Sequence, residues 1–217
     1  MTKSGEYEYF FKLIFLTSKV SYLLLLLISV PLVCNIDFVL KKWLGNFPPM
    51  TEVFIETIIL YYLIDALQEP LVTTVHATGK LRFHQIMIAT IVFFVIPVSY
   101  FMLKAGFSGT SVLILNAISN VFCAVGRTVY MRVLIKLDIM KYLKEVILPI
   151  SIISVLSIPI PLYVAYQMDA SWDRLILTTV ISLILLSLLS YCFGLNKEEK
   201  LHIKRLLPFC KSLKRRQ

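Results

Sequence analysis

The sequence predicts an all-α polytopic membrane bundle of about six transmembrane helices, and three observations carry that expectation. Apolar residues make up 58% of the 217 positions against 16% charged, with a mean hydropathy of +0.81, more than a water-soluble domain of this length can bury. They come in long blocks divided by short charged connections, where a soluble core would show amphipathic stripes or alternation. The basic residues gather on alternate connections, the charge pattern of a multi-pass chain.

The first apolar run, Val20 to Ile36, starts after Lys19 and lacks a small-residue cleavage motif, so it reads as a retained span and not as a signal peptide. Alone it makes about 26 Å of helix against about 30 Å of hydrocarbon, so the span is drawn from Ser21 to Leu40, with Asp37 near the interface. The next spans run Val53 to Ala77, Gln85 to Leu103, Thr110 to Leu134, Val146 to Gln167 and Leu175 to Leu195. Turn formers and interfacial aromatics mark the connections: Trp43, Gly45, Pro48 and Pro49, then Gly79, then Gly106 and Gly109, then Trp172. Pro31, Pro70, Pro97, Pro149, Pro159 and Pro161 fall inside spans and predict kinks. The chain is thus one domain, 1–217: an interfacial segment 1–19, a six-span bundle 20–195 and a basic tail 196–217. Glu6 to Thr17, with Tyr7, Phe10, Phe11, Ile14 and Phe15, forms an expected interfacial helix, and Lys197 to Leu207 a basic amphipathic one resting on anionic lipid headgroups.

Orientation follows from lysine and arginine. Lys41, Lys42, Lys104 and Arg174 fall on one face and the other eighteen of the 22 basic residues on the opposite one, which makes that face, with both termini, cytoplasmic. The net charge of +9 therefore belongs beside lipid, and nucleic acid is not an expected partner. Cys34, Cys123, Cys192 and Cys210 are scattered, without metal or redox spacing, and are expected as free thiols. Neither they nor His76, His84 and His202 form a metal-ligand motif, and no GxxxxGK[ST] loop is present, so no metal or nucleotide cofactor is expected.

Polar residues inside the second span set the candidate site. Tyr61, Tyr62, Asp65, Gln68, Glu69, Thr73 and His76 share one helical face, with leucines and isoleucines mostly elsewhere. An ionisable group in mid-span costs about 2.5–3.5 kcal/mol on insertion scales, so Asp65 should face protein or water. Asp65 and Glu69, one turn apart, read either as a proton or ion site or as partners of Arg127 or another basic group that fix helix packing. In the fourth span Asn116, Asn120, Cys123 and Arg127 share a face, suited to a sugar or headgroup, or equally to interhelical packing beside Ser119 and Gly126. The ion- or substrate-pathway candidates are thus Asp65, Glu69, Tyr62, Thr73, Asn116, Asn120 and Arg127.

Four phrases in order carry a resemblance: FVLKKWLGNFPP (Phe38 to Pro49), HATGKLRFHQI (His76 to Ile86), YLKEVILPI (Tyr142 to Ile150) and FGLNKEEKLHIKRLL (Phe193 to Leu207). Together they resemble the C-terminal half of oligosaccharide flippases of the multidrug/oligosaccharidyl-lipid/polysaccharide exporter superfamily, over roughly residues 10 to 207. The resemblance implies one six-helix lobe of a two-lobe transporter of the bacterial inner membrane. Its substrate would be a polyprenyl-diphosphate-linked oligosaccharide, a precursor of O-antigen or capsule, moved by alternating access. It also implies a partner, either a missing N-terminal lobe or a second copy, and a transporter that is not an enzyme. Two alternatives stand beside it: an ion-coupled multidrug exporter of the same superfamily, and an inactive or scaffold half-protein. A membrane glycosyltransferase would need carboxylates or histidines clustered on interfacial loops, and these loops are short and poor in both.

Overall fold

A computed structural model describes residues 3–48 and 50–194, and among these it contains helices and turns but no strand. Six helices are long and apolar enough to cross a membrane: Glu8–Cys34, Thr51–Thr78, Leu81–Lys104, Gly109–Ile135, Ile139–Gln167 and Trp172–Gly194. The protein is an all-α polytopic membrane bundle, the architecture that lets every backbone polar group bond within its own span. The expected tail helix Lys197 to Leu207, with His202 and Cys210, lies outside the described residues.

The first helix, α1 (Lys3–Cys34), is a single 32-residue rod of about 48 Å. The expected break between an interfacial helix and the first span is absent, because no glycine or proline stands between Gly5 and Pro31 to interrupt the ladder. Its early apolar residues also serve differently from the expectation. Ile14 and Phe15 do not rest on headgroups but are buried with Leu71, Val75, Met131 and Tyr142, and Phe15 meets Tyr142 edge to face at 5.5 Å.

The far end of α1 departs from the expectation as well. The helix stops at Asn35, whose Nδ2 donates to the Pro31 carbonyl and to Thr178 Oγ1, both at 2.8 Å. The chain then turns into α2 (Ile36–Trp43), which buries Ile36, Phe38 and Leu40 and exposes Lys41, Lys42 and Trp43. The first span therefore ends at Cys34 rather than running on to Leu40.

Helices α3 (Thr51–Thr78), α4 (Leu81–Lys104) and α5 (Gly109–Ile135) follow the expected second to fourth spans within a few residues. Gly79 closes α3 in the left-handed conformation (φ 69°) that a Cβ would strain, and two residues later α4 begins. α5 packs against both α3 and α4, while α3 also packs on α1. Gly126 lets α4 approach closely: a Cβ there would stand 3.0 Å from Met87 Sδ.

The fifth span is broken into α6 (Ile139–Tyr142), a π-helical turn Leu143–Ile147, α7 (Leu148–Ser157) and α8 (Pro159–Gln167). It starts seven residues before the expected Val146 because Asp138 caps it, accepting from the Met140 and Lys141 amides at 3.0 and 3.2 Å. The wide turn directly precedes Pro149, which has no N–H for the α ladder. The sixth span, α9 (Trp172–Leu189) with a π-helical end Ser190–Gly194, packs on α1, α7 and α8. Lys19, buried in α1, donates from Nζ to the Gly194 carbonyl at 3.0 Å.

Six crossings place both ends of the described chain at one end of the bundle, together with the turns at 79–80 and 136–138. Lys80, Arg82, Arg132, Lys136, Lys141 and Lys144 cluster there, and we refer to it as the basic end.

Candidate intramembrane polar site

Asp65 stands at the middle of α3, and α3 is the least apolar of the six spans. Arg127 Nη1 of α5 donates to Asp65 Oδ1 at 3.3 Å, with the Arg127 side chain 13% exposed and Asp65 35%. The two helices run parallel, and Asn120 Nδ2 ties them one level away by donating to the Tyr61 carbonyl at 3.0 Å. Arg127, counted among the basic charges of one face but also expected within the fourth span, is inside that span and engaged with Asp65, the interhelical pairing that the sequence offered as one of two readings.

The polar stripe of α3 divides along its length. One edge, Tyr61, Asp65 and Gln68, turns toward α5, whereas Tyr62, Glu69, Thr73 and His76 form an exposed edge. Glu69 makes no ion pair among the described residues, and Thr73 donates to the Glu69 carbonyl at 3.0 Å. The structure therefore separates Asp65 from Glu69: the first is bonded to a neighbouring helix, and the second points away from the bundle. On α5, Asn120 does interhelical work, while Asn116 donates to the Val112 carbonyl of its own helix at 3.1 Å. Cys123 is buried between them and Arg127.

One further polar side chain joins the layer. Gln68 lies seven residues after Tyr61 and Arg127 seven after Asn120, so the Asn120–Tyr61 bond puts them at one level. Gln68 is only 3% exposed, and its Oε1 has no hydrogen-bond partner among the described residues; the same holds for Arg127 Nε. His84 of α4, 2% exposed, lies about a turn nearer the basic end, and both its ring nitrogens are without a partner among the described residues. Its ring lies 6.1 Å from Tyr130, one turn beyond Arg127, while Met87, one turn along α4, rests on Gly126. Drawing the third span from Gln85 leaves His84 in a turn; the apolar Leu81 and Phe83 beside it were the signal that α4 begins earlier.

A second polar cluster, absent from the sequence reading, sits at the end opposite the basic one. Arg174, placed by the sequence on a face, is buried in the first turn of α9. It donates from Nε to Asn35 Oδ1 at 2.9 Å, from Nη2 to Asp37 Oδ1 at 2.6 Å and from Nη1 to the Met168 carbonyl at 3.5 Å. These bonds fasten α9 to the break between α1 and α2. The cluster is saturated, which marks it as a fastening, whereas the Asp65 layer holds unpaired donors and acceptors and can take up a polar ligand or water. No protein-family model, curated protein or solved structure matches the chain.

Proposed function

We propose that this multi-pass membrane protein is one lobe of a transporter, and that the exposed edge of α3 faces a polar pathway rather than lipid. The observation that carries the reading is the placement of Tyr62, Glu69 and Thr73 within the span on an exposed surface backed by the part-buried Asp65–Arg127 pair. A carboxylate in hydrocarbon is costly, and an aqueous cleft removes that cost. A second lobe, whether a separate chain or a second copy, would close the other side of the cleft, as in transporters built from paired repeats.

The cargo that the sequence resemblance favours is a polyprenyl-diphosphate-linked oligosaccharide, its glycan in the cleft and its lipid in the bilayer. With the basic end toward the cytoplasm, as the distribution of lysine and arginine favours, the protein would move this lipid outward across the bacterial inner membrane. The test is restoration of surface glycan in a strain lacking its flippase, supplied with this chain alone or with a companion lobe. Glu69→Gln and Asp65→Asn should each reduce restoration at unchanged protein level, and full activity of both variants would remove the α3 edge from the pathway.

One observation favours a second reading, export of cationic compounds by a lobe of the same superfamily. Asp65 engages Arg127, so the acid Glu69 dominates the exposed edge, a surface better suited to a cation than to a diphosphate. Increased resistance to lipophilic cations with no gain of surface glycan would decide for it.

A further inference from the structure

We propose that the cleft where α5 meets the fifth span is a binding site for an anionic phospholipid, its headgroup phosphate held by Arg132 and Lys136. Such a site is independent of any transport activity. The cleft has a volume of about 590 Å³, within the range of pockets that take small molecules. Arg132, Lys136 and Asp138 give it a polar lining, and Ile139, Met140 and Leu143 an apolar one. Arg132 and Lys136 are exposed and make no ion pair among the described residues, so both cations are open to an outside anion. Asp138 opposes them with one carboxylate, whose Oδ1 already accepts the Met140 and Lys141 amides at 3.0 and 3.2 Å. The lining thus carries two positive charges against one negative.

Of the two cations, Lys136 is the more telling. It closes α5 in the left-handed conformation (φ 58°), and no other non-glycine residue has a positive φ among the described residues. Glycine or asparagine ordinarily takes that position, because a Cβ is strained there. The α5 dipole accounts for a cation in the last turn, but not for a lysine in a place where glycine costs less. Strain of this kind marks a side chain that is used. The apolar lining points to a lipid over a soluble phosphate. Met140 and Leu143, 63% and 48% exposed, stand one turn apart on the fifth span and lead away from the basic end. An acyl chain lying along them would leave its phosphate level with Arg132 and Lys136, as in headgroup sites set between spans at a basic membrane face.

The full chain in neutral detergent is titrated with phosphatidylglycerol, phosphatidylcholine or glycerol phosphate. Bound adducts are read by native mass spectrometry, alongside the melting temperature. Phosphatidylglycerol should be retained and should raise the melting temperature, with phosphatidylcholine and glycerol phosphate weaker by about tenfold or more. Arg132→Gln and Lys136→Gly should each weaken phosphatidylglycerol binding about fivefold, the share of one basic residue near a membrane surface. Lys136→Gly also relieves the left-handed strain, so its melting temperature without lipid should be unchanged or higher. Arg82→Gln removes the same charge from the same end outside the cleft, and should leave the affinity near its original value. Equal retention of phosphatidylcholine, an equal loss in Arg82→Gln, or unaltered affinity in both cleft variants would overturn the proposal. Glycerol phosphate bound as tightly as the lipid would assign the cleft to a soluble phosphate and overturn the lipid site.

Discussion

Arg174 meets three acceptors at once, and Asn35, which supplies one of them, also donates to Pro31 and Thr178. Asn35→Ala would leave a buried guanidinium N–H and the Thr178 hydroxyl short of a partner, so a loss of about 3 kcal/mol is expected, measured by unfolding in detergent. Arg174→Lys should recover little of the stability lost in Arg174→Ala, because an ammonium does not reproduce the planar fork. The Asp65–Arg127 bond is longer and Asp65 is partly exposed, so its worth is smaller. A double-mutant cycle of Asp65→Asn and Arg127→Gln should return a coupling of about 1 kcal/mol, in the range measured for polar pairs between membrane helices. At this scale the sequence was legible where a polar residue interrupts an apolar run, as Asp65, Asn120 and Arg127 do. It was opaque at Arg174 and Asn35, since a charge beside a span looks the same in sequence whether it is solvated or bonded to a residue 139 positions away.

The elements were legible where glycine, proline and charge coincide with a turn, as at Gly79 and Gly106, and α3, α4 and α5 start and stop close to their expected bounds. They were obscured where helix continues through charge. Lys12 and Lys19 lie inside α1, and Lys141, Lys144 and Glu145 inside the fifth span, so hydropathy alone began both spans too late. Lysine in these places bonds to protein or reaches the interface, and the backbone ladder is indifferent to it. Two substitutions test how elements meet. Gly126→Leu should push Met87 aside and separate α4 from α5, lowering the melting temperature, whereas Gly126→Ala with Met87→Ala should be tolerated. Pro149→Ala restores an amide donor, and the π-helical turn Leu143–Ile147 should relax toward regular α-helix, visible as slower amide exchange in that segment.

For the whole molecule, the contrast between two exposed surfaces is the measurable quantity. Phe93, Phe94 and Phe101 of α4 and Val125, Val129 and Val133 of α5 are exposed and apolar, the surface expected against lipid. Tyr62, Glu69 and Thr73 are exposed and polar. In a chain freed of its own cysteines, Thr73→Cys should react with a membrane-impermeant maleimide while Phe93→Cys stays unlabelled; equal protection of both would place the α3 edge in lipid. The six-span count could be read from composition, but which faces look toward lipid and which toward water could not, because that division depends on how neighbouring helices cover one another.

The bridge from Lys19 to the Gly194 carbonyl also orders events during synthesis. An ammonium in the first span meets this acceptor only after the ribosome has delivered the sixth span. Until then α1 is held by the earlier helices through Ile14 and Phe15, while its contact with α9 is still missing. Docking of the sixth span on α1 is therefore a late step in biogenesis, and nascent chains stopped before Trp172 should be cleared by membrane quality-control proteases faster than chains that have gained the sixth span.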